Sequence, residues 1–268
     1  MVILITGASS GIGLSAAKYL AEKGYNVYGT SRKAEMGSHE NGITYLKLDV
    51  TDHNSVKAAA QYLLSKEQQI DVVVNNAGIG MVGSVEDSSI EEMKTHFETN
   101  YYGAVHVMQA FLPKMREQGF GKIINISSLA GIFGLPYRGV YCAAKAALNL
   151  LTESMRMELL TYGIHAIVVA PGDIKTKIDT SRIKAKRSKT SVYRTEFDQV
   201  HDIMNEELQT SSDPIKVAQV IHKCIKAKNP KPFYLAASPF QKLVVNLRYW
   251  LPTRLFQKLM MNNYKMKT

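Results

Sequence analysis

The chain has 268 residues and a mass of 29.8 kDa, a length that one doubly wound α/β unit can fill. An apolar share of 46% against 21% charged residues excludes a disordered or fibrous protein, and two cysteines, Cys142 and Cys224, exclude a disulfide framework or a thiolate metal cluster. The net charge of +10 sits in the tail: residues 214–268 hold eleven Lys or Arg and no Asp or Glu, while the first 213 residues hold 22 basic and 23 acidic groups. A nearly neutral body argues against a nucleic-acid enzyme, and the basic tail points to an anionic surface or ligand. Met1 opens directly on an apolar strand too short for a secretory leader, and no apolar run reaches membrane-spanning length, so a cytoplasmic location is expected.

Val2–Thr6 reads as a buried strand, followed by Gly7, Gly11 and Gly13 and a helical pattern through Ala21. Glycines between a strand and a helix let the backbone turn tightly and approach a pyrophosphate, and the helix start offers it unpaired N–H groups. The spacing is G-x-x-x-G-x-G, not the dinucleotide fingerprint G-x-G-x-x-G. The next strand, Asn26–Thr30, ends in Ser31-Arg32-Lys33. An acidic residue here would bind a ribose 2′-hydroxyl; Ser31 and Arg32 in its place predict NADP(H), the other reading being a solvated basic loop.

Ile43–Leu48 predicts a strand ending at Asp49-Val50, His53–Lys66 a helix, and Ile70–Val74 a strand leading into Asn75-Asn76-Ala77-Gly78. Ile90–Met115 reads as one helix, with Asn100 as an interior amide that has no capping role. Ile123–Ser127, Tyr141–Tyr162 and Ile164–Ala170 continue the strand-helix alternation, which implies a parallel sheet covered on both faces. The pattern breaks after Pro171-Gly172. Residues 177–213 are rich in Lys, Arg, Ser and Thr, with a helical candidate at Glu196–Leu208, and read as a lid over the site or a surface insertion. A helix from Pro214 to Ala227 and a strand at Pro232–Leu235 complete the sheet. Residues 1–238 form the expected nucleotide-binding catalytic domain, and 239–268 a basic amphipathic helical extension.

In that extension Phe240, Leu243, Val244, Leu247, Trp250 and Leu251 recur at helical spacing, Pro252 interrupts, and Leu255, Phe256, Leu259 and Met260 resume. With only positive charges opposite, such a face suits a helix lying in an anionic membrane interface. It also suits packing on the body or on a partner subunit, walling the substrate pocket.

The chemistry gathers between Ile123 and Lys145. Tyr141 and Lys145 are four apart, hence on one helix face, and Ser128 lies where a strand gives way to a loop. A free tyrosine titrates near ~10, and lowering it by about three units needs roughly 4 kcal/mol. One ammonium ~4 Å away, at an effective dielectric of ~20, supplies about that much. A serine hydroxyl can hold a substrate oxygen beside the phenol. Alone, Tyr-x-x-x-Lys is most often an ordinary surface pair, so its weight here comes from its neighbours.

Those neighbours, Thr6-Gly-Ala-Ser-Ser-Gly-Ile-Gly13, Asp49-Val50, Asn75-Asn-Ala-Gly78, Asn100, Ser128, Tyr141-Cys-Ala-Ala-Lys145 and Pro171-Gly172, stand in an order that resembles the short-chain dehydrogenase/reductase superfamily from Met1 to about Leu235. The resemblance implies a single Rossmann domain with a seven-stranded parallel sheet of order 3-2-1-4-5-6-7, assembled as a homodimer or homotetramer. It implies that Tyr141 is the general acid/base, that Ser128 orients the carbonyl, and that Lys145 lowers the tyrosine pKa and binds the nicotinamide ribose. Asn100 would hold a water that relays protons to Lys145. Cofactor contacts would come from Thr6, Gly7, Ser9, Ser10, Gly11, Ile12 and Gly13 in the first turn and from Ser31, Arg32, Asp49 and Val50 around the adenosine half. Asn76, Ala77, Gly78, Pro171, Gly172, Ile174 and Thr176 would complete the contacts.

Phe233-Tyr-Leu-Ala-Ala-Ser238 stands where the smaller 3-oxoacyl reductases carry Asp-Gly-Gly, and thirty more residues follow. In this the chain looks more like the hydroxysteroid and retinol dehydrogenase branch, and like 3-ketosphinganine reductases. The expected function is NADP(H)-dependent interconversion of a ketone or aldehyde with an alcohol on an apolar steroid-, retinoid- or keto-lipid-like substrate. The alternatives are a 3-ketosphinganine or 3-oxoacyl reductase, and a non-catalytic NADP-binding sensor or scaffold.

Overall fold

A central strand, β1 (Val2–Ile5), is flanked on both sides by parallel neighbours and has no exposed residue, as an unbroken apolar run requires. The structure, a computed structural model, describes residues 1–175, 182–209 and 211–267. On one side of β1 lie β2 (Asn26–Ser31), β4 (Ile43–Lys47) and β3 (Ser38–Glu40); on the other lie β5 (Val72–Asn75), β7 (Gly121–Ile126), β8 (Ile164–Pro171) and β10 (Phe233–Ala236). The strands other than β3 run parallel, in the order expected from the resemblance.

The sheet has eight strands rather than seven. The extra strand, β3, pairs antiparallel with β4 through a two-residue turn at Asn41-Gly42, where both residues have positive φ (51° and 75°). Asn-Gly is the pair that such a hairpin turn favours, so this element had a sequence signal that the strand-helix alternation hid. A separate parallel pair, β6 (Met81–Val82) with β9 (Ile183–Lys184), fastens the segment after residue 181 to the body.

Helices cover both faces. On one, α2 (His53–Lys66), α4 (Gly103–Gln118) and α5 (Gly139–Leu159) bury Val56, Leu63, Phe111, Met115 and Leu148 against the sheet. On the other, α1 (Gly11–Glu22) and α7 (Ile215–Lys226) bury Ala16, Leu20, Ile221 and Ile225. The single helix expected over Ile90–Met115 is instead α3 (Ile90–Phe97), a π-helical turn at Glu98–Tyr102, and α4.

The helix expected at Glu196–Leu208 is longer: α6 spans Arg194–Gln209. The tail forms α8 (Pro239–Trp250) and α9 (Thr253–Asn263) and lies back on the body. Ser238 and Gln241 cap α8 reciprocally. Tyr264 joins Phe197, Val200 and Met204 of α6 in a third apolar cluster, and Phe256 meets Phe133 edge-on at 5.2 Å. The buried side of α8 carries Val245, outside the predicted stripe, while Phe240, Leu243 and Trp250 of that stripe stay exposed. Val244, Leu247 and Leu251 of the stripe are half-buried, so the face turned inward is rotated from the one that helical spacing identified.

Candidate active site

The turn from β1 into α1 forms a cradle. Gly7 and Gly11 adopt φ of 66° and 55°, conformations that disfavour any side chain. A Cβ on Gly13 would stand 2.4 Å from the Gly7 carbonyl oxygen and from Asn76 Nδ2, so the helix can approach the strand this closely only through glycine. Ser10 is the N-cap of α1 but makes no side-chain capping bond, which leaves the first-turn N–H groups available to an anion.

From this cradle a cleft of about 910 Å³ runs over the sheet edge, within the range of ordinary cofactor sites. Gly7, Ser9, Ser10, Gly11 and Ile12 line it at one end, Ser31, Arg32, Asp49 and Val50 beside them, and Asn76, Ala77, Gly78, Asn100, Tyr141 and Lys145 beyond. The open cradle and the free helix start fit a dinucleotide pyrophosphate. Two predicted contacts stand behind the wall. Thr6 is 1% exposed and its hydroxyl accepts the Asn76 and Ala77 N–H groups at 2.9 and 3.0 Å, while Gly13 packs under Gly7. Thr176 lies outside the described residues. Asn76 donates to the Thr6 and Gly7 carbonyls at 2.9 and 3.2 Å, holding the cradle to the end of β5.

The π-helical turn carries Asn100 inward, 2% exposed. Its Nδ2 donates to the carbonyls of Ile79 (3.0 Å) and His96 (3.1 Å), and its Oδ1 accepts the Ile79 N–H at 3.3 Å. His96 is fully buried, makes a 3.1 Å Nε2 contact to the same Ile79 carbonyl, and sets its ring edge-on to Tyr141 at 5.8 Å. Burial, then the Lys145 charge, push its pKa down to about 4, so the imidazole is neutral at ordinary pH. Sequence reading missed His96. Four residues before Asn100 on one helix face, it had a position signal but no motif.

Tyr141 and Lys145 share a face of α5, with the ammonium 6.0 Å from the phenol ring centre. Lys145 is 6% exposed and donates to the Ile126 carbonyl at 2.9 Å; burial lowers its pKa to about 8. Ser128 stands beside the Tyr141 hydroxyl and favours its ionised form, and Ser128 Oγ accepts the Ala130 N–H at 3.1 Å. Burial raises the Tyr141 pKa, opposed by Ser128 and by the Arg138 and Arg182 charges rather than by the expected Lys145. The net shift is upward, because desolvating a phenolate costs more than these partners return.

A second cavity meets the first at Tyr141, Ser127 and Ile12. Ser128, Pro171, Gly172, Ile174, Met81, Val82, Met204 and Leu208 line it, with Arg138, Asp173 and Arg182 as its charged residues. Pro171, Gly172 and Ile174 thus stand on this side rather than in the larger cleft. Arg138, three residues before Tyr141, was also missed. The helix at Glu196–Leu208 was expected within a lid over the site or a surface insertion, but Met204 and Leu208 were not singled out.

A parallel sheet with a glycine cradle at its first turn, opening on a Ser-Tyr-Lys cluster whose lysine is buried, has the form of a nicotinamide-dependent oxidoreductase site. The model of the short chain dehydrogenase family matches residues 1–187, and the chain belongs to that family, the short-chain dehydrogenases/reductases. It is 37% identical to a 3-ketodihydrosphingosine reductase from Bacteroides thetaiotaomicron, covering 96% of this chain and 95% of that one. It is 31% identical to the human 17-beta-hydroxysteroid dehydrogenase type 1, covering 91% of this chain and 79% of that protein. A solved short-chain dehydrogenase from Streptomyces avermitilis superposes with a TM-score of 0.82 at 26% identity, covering 98% of this chain and 96% of that one.

Proposed function

We propose that the protein is an NADP(H)-dependent oxidoreductase that interconverts a ketone and an alcohol on a long apolar substrate. The observation that carries this reading is Tyr141 at the junction of the two cavities, with Ser128 lining the smaller one beside it and Lys145 on the same helix face. A bound nicotinamide supplies or accepts the hydride. Tyr141 gives its hydroxyl proton to the carbonyl oxygen as that oxygen gains charge, and Ser128 holds the oxygen in place. Lys145 steadies the phenolate that remains and holds the nicotinamide ribose, and Asn100 fixes the Ile79 backbone beside it. Ser31 and Arg32, in place of a carboxylate after β2, would hold a ribose 2′-phosphate.

The apolar wall of Met81, Val82, Met204 and Leu208 and the keto-lipid named for the Bacteroides relative support an apolar ketone as substrate. Leu150 and Met157 of α5, each 69% exposed, are consistent with a homodimer or homotetramer. The exposed Phe240, Leu243 and Trp250 beside Lys242 support peripheral contact of the tail, residues 239–268, with an anionic bilayer through which such a substrate arrives. Tyr141→Phe should bind NADPH as the wild type does, read by fluorescence titration, and lose NADPH oxidation on a panel of long-chain ketones. Retained turnover would falsify the assigned proton donor.

A further inference from the structure

We propose that Arg138 forms an anion-binding subsite in the substrate cavity, so that the preferred ketone carries an acidic group, a carboxylate or a sulfonate, within a few bonds of its carbonyl carbon. The inference rests on Tyr141 and Ser128 receiving that carbonyl.

Arg138 is the N-cap residue of α5 and Tyr141 stands three residues later, so their side chains start about 5–6 Å apart on one face. Both line the same cavity. Two carboxylates share the surroundings of the guanidinium: Glu207, whose carboxyl feels its charge, and Asp173, which lines the cavity and accepts Gln241 Nε2 at 2.6 Å. Among the described residues neither forms an ion pair with it; one terminal nitrogen donates to the Tyr264 hydroxyl, and Nε is buried with no hydrogen-bond partner. A buried guanidinium N–H without a partner is rare in proteins and marks a place where an acceptor belongs.

The helix strengthens the argument. The start of a helix is its positive end, where acidic residues are favoured and an arginine is not. The 21-residue α5 has no acidic residue in its first turn and no side-chain cap. Guanidinium and helix end therefore point the same polarity at one spot, and only an anion is stabilised by both. The planar fork of arginine matches a carboxylate or sulfonate, whose oxygens can accept two parallel N–H bonds. The same positive charge acts on Tyr141, whose pKa it lowers against the effect of burial. An acidic substituent seated on Arg138 leaves its neighbouring carbonyl facing the two hydroxyls.

The test uses the full-length protein and a matched set of long-chain 3-ketones whose head groups are a neutral alcohol, a carboxylate, a sulfonate or an ammonium. We expect wild-type kcat/KM for an acidic head to exceed that for the neutral one by roughly tenfold or more, mostly through KM, with the ammonium below both. The carboxylate and sulfonate arms decide which acid fits better. In Arg138→Gln the acid-to-neutral ratio should fall towards one, and in Arg138→Lys it should be partly kept. Tyr264→Phe, which removes the arginine's contact with the tail but not its charge, should keep the ratio. Equal wild-type rates on acidic and neutral ketones, a preference that survives Arg138→Gln, or one lost equally in Tyr264→Phe would overturn the subsite. Binding of a long-chain alkyl sulfonate and a long-chain carboxylate, measured by calorimetry in the presence of NADP+, reads the subsite without turnover. If no ketone is reduced but this binding depends on Arg138, the catalytic reading fails while the subsite stands; if neither acid binds more weakly to Arg138→Gln, the subsite fails.

Discussion

At the scale of single residues, the site is built from groups whose charges the fold suppresses. His96 resists protonation in the folded protein until about pH 4, whereas in the unfolded chain it takes up a proton near the ordinary ~6.5. Between these values the unfolded state binds more protons, so stability falls as the pH falls from ~6.5 to ~4, by up to about 3 kcal/mol from this residue alone. His96→Phe should flatten that part of the urea-unfolding profile measured at pH 7, 5.5 and 4.5; an unchanged slope would show that the imidazole is hydrated. His165, His201 and His222 are shifted the same way, so some slope will persist.

Arg32 tests the cofactor reading at the same scale. It is an exposed cation at the end of β2 and lines the cleft. A phosphate needs that charge and a bare ribose hydroxyl does not. Arg32→Ala should raise the NADPH dissociation constant by about tenfold or more and leave that of NADH nearly unchanged. An equal effect on both cofactors would count against NADP(H).

At the scale of elements, the close approach of α1 to β1 is a packing requirement with a sharp consequence. In Gly13→Ala the new methyl group would meet the Gly7 backbone oxygen, which no side-chain motion can relieve. We expect a loss of about 1–3 kcal/mol and a marked weakening of NADPH binding, because the cradle itself must move. Gly134, with open space around its Cβ position, is the control: Gly134→Ala should stay within ~0.5 kcal/mol of the wild type in the same melt. The π-helical turn is the other element with a task. It breaks the regular hydrogen-bond ladder between α3 and α4 and turns Asn100 onto the Ile79 backbone, a distortion that tends to occur at functional sites.

At the scale of the whole molecule, the basic tail divides its apolar residues between two environments. Phe256 is 3% exposed against Phe133, with the Arg248 guanidinium 5.7 Å from its ring, whereas Trp250 is 79% exposed. Phe256→Ala should therefore cost about 3 kcal/mol in chemical denaturation. Trp250→Ala should change stability by no more than ~0.5 kcal/mol and instead weaken binding to anionic liposomes in a flotation assay. Truncation after Ser238 should abolish that binding, and liposome binding by the truncated form equal to the full chain's would remove the membrane reading. Among the described residues no helix is long and apolar enough to cross a bilayer.

Sequence alone specified the alternating strands and helices, while the order of the sheet followed from the family resemblance that its motifs carry. Apolar β-branched runs set the strands, glycines set the first turn, and Tyr141 and Lys145 stand four apart on a helix long enough to hold their geometry. These are local patterns, and local patterns survive in one dimension. Tertiary structure alone decided which side chains meet there: Met204 and Leu208 on the cavity wall, Tyr264 on Arg138, His96 against Tyr141, Val245 as the most buried residue of α8, and the burial that raises the phenol pKa. Each of these depends on which distant surfaces meet and on how much water their meeting excludes, and neither quantity is carried by spacing along the chain.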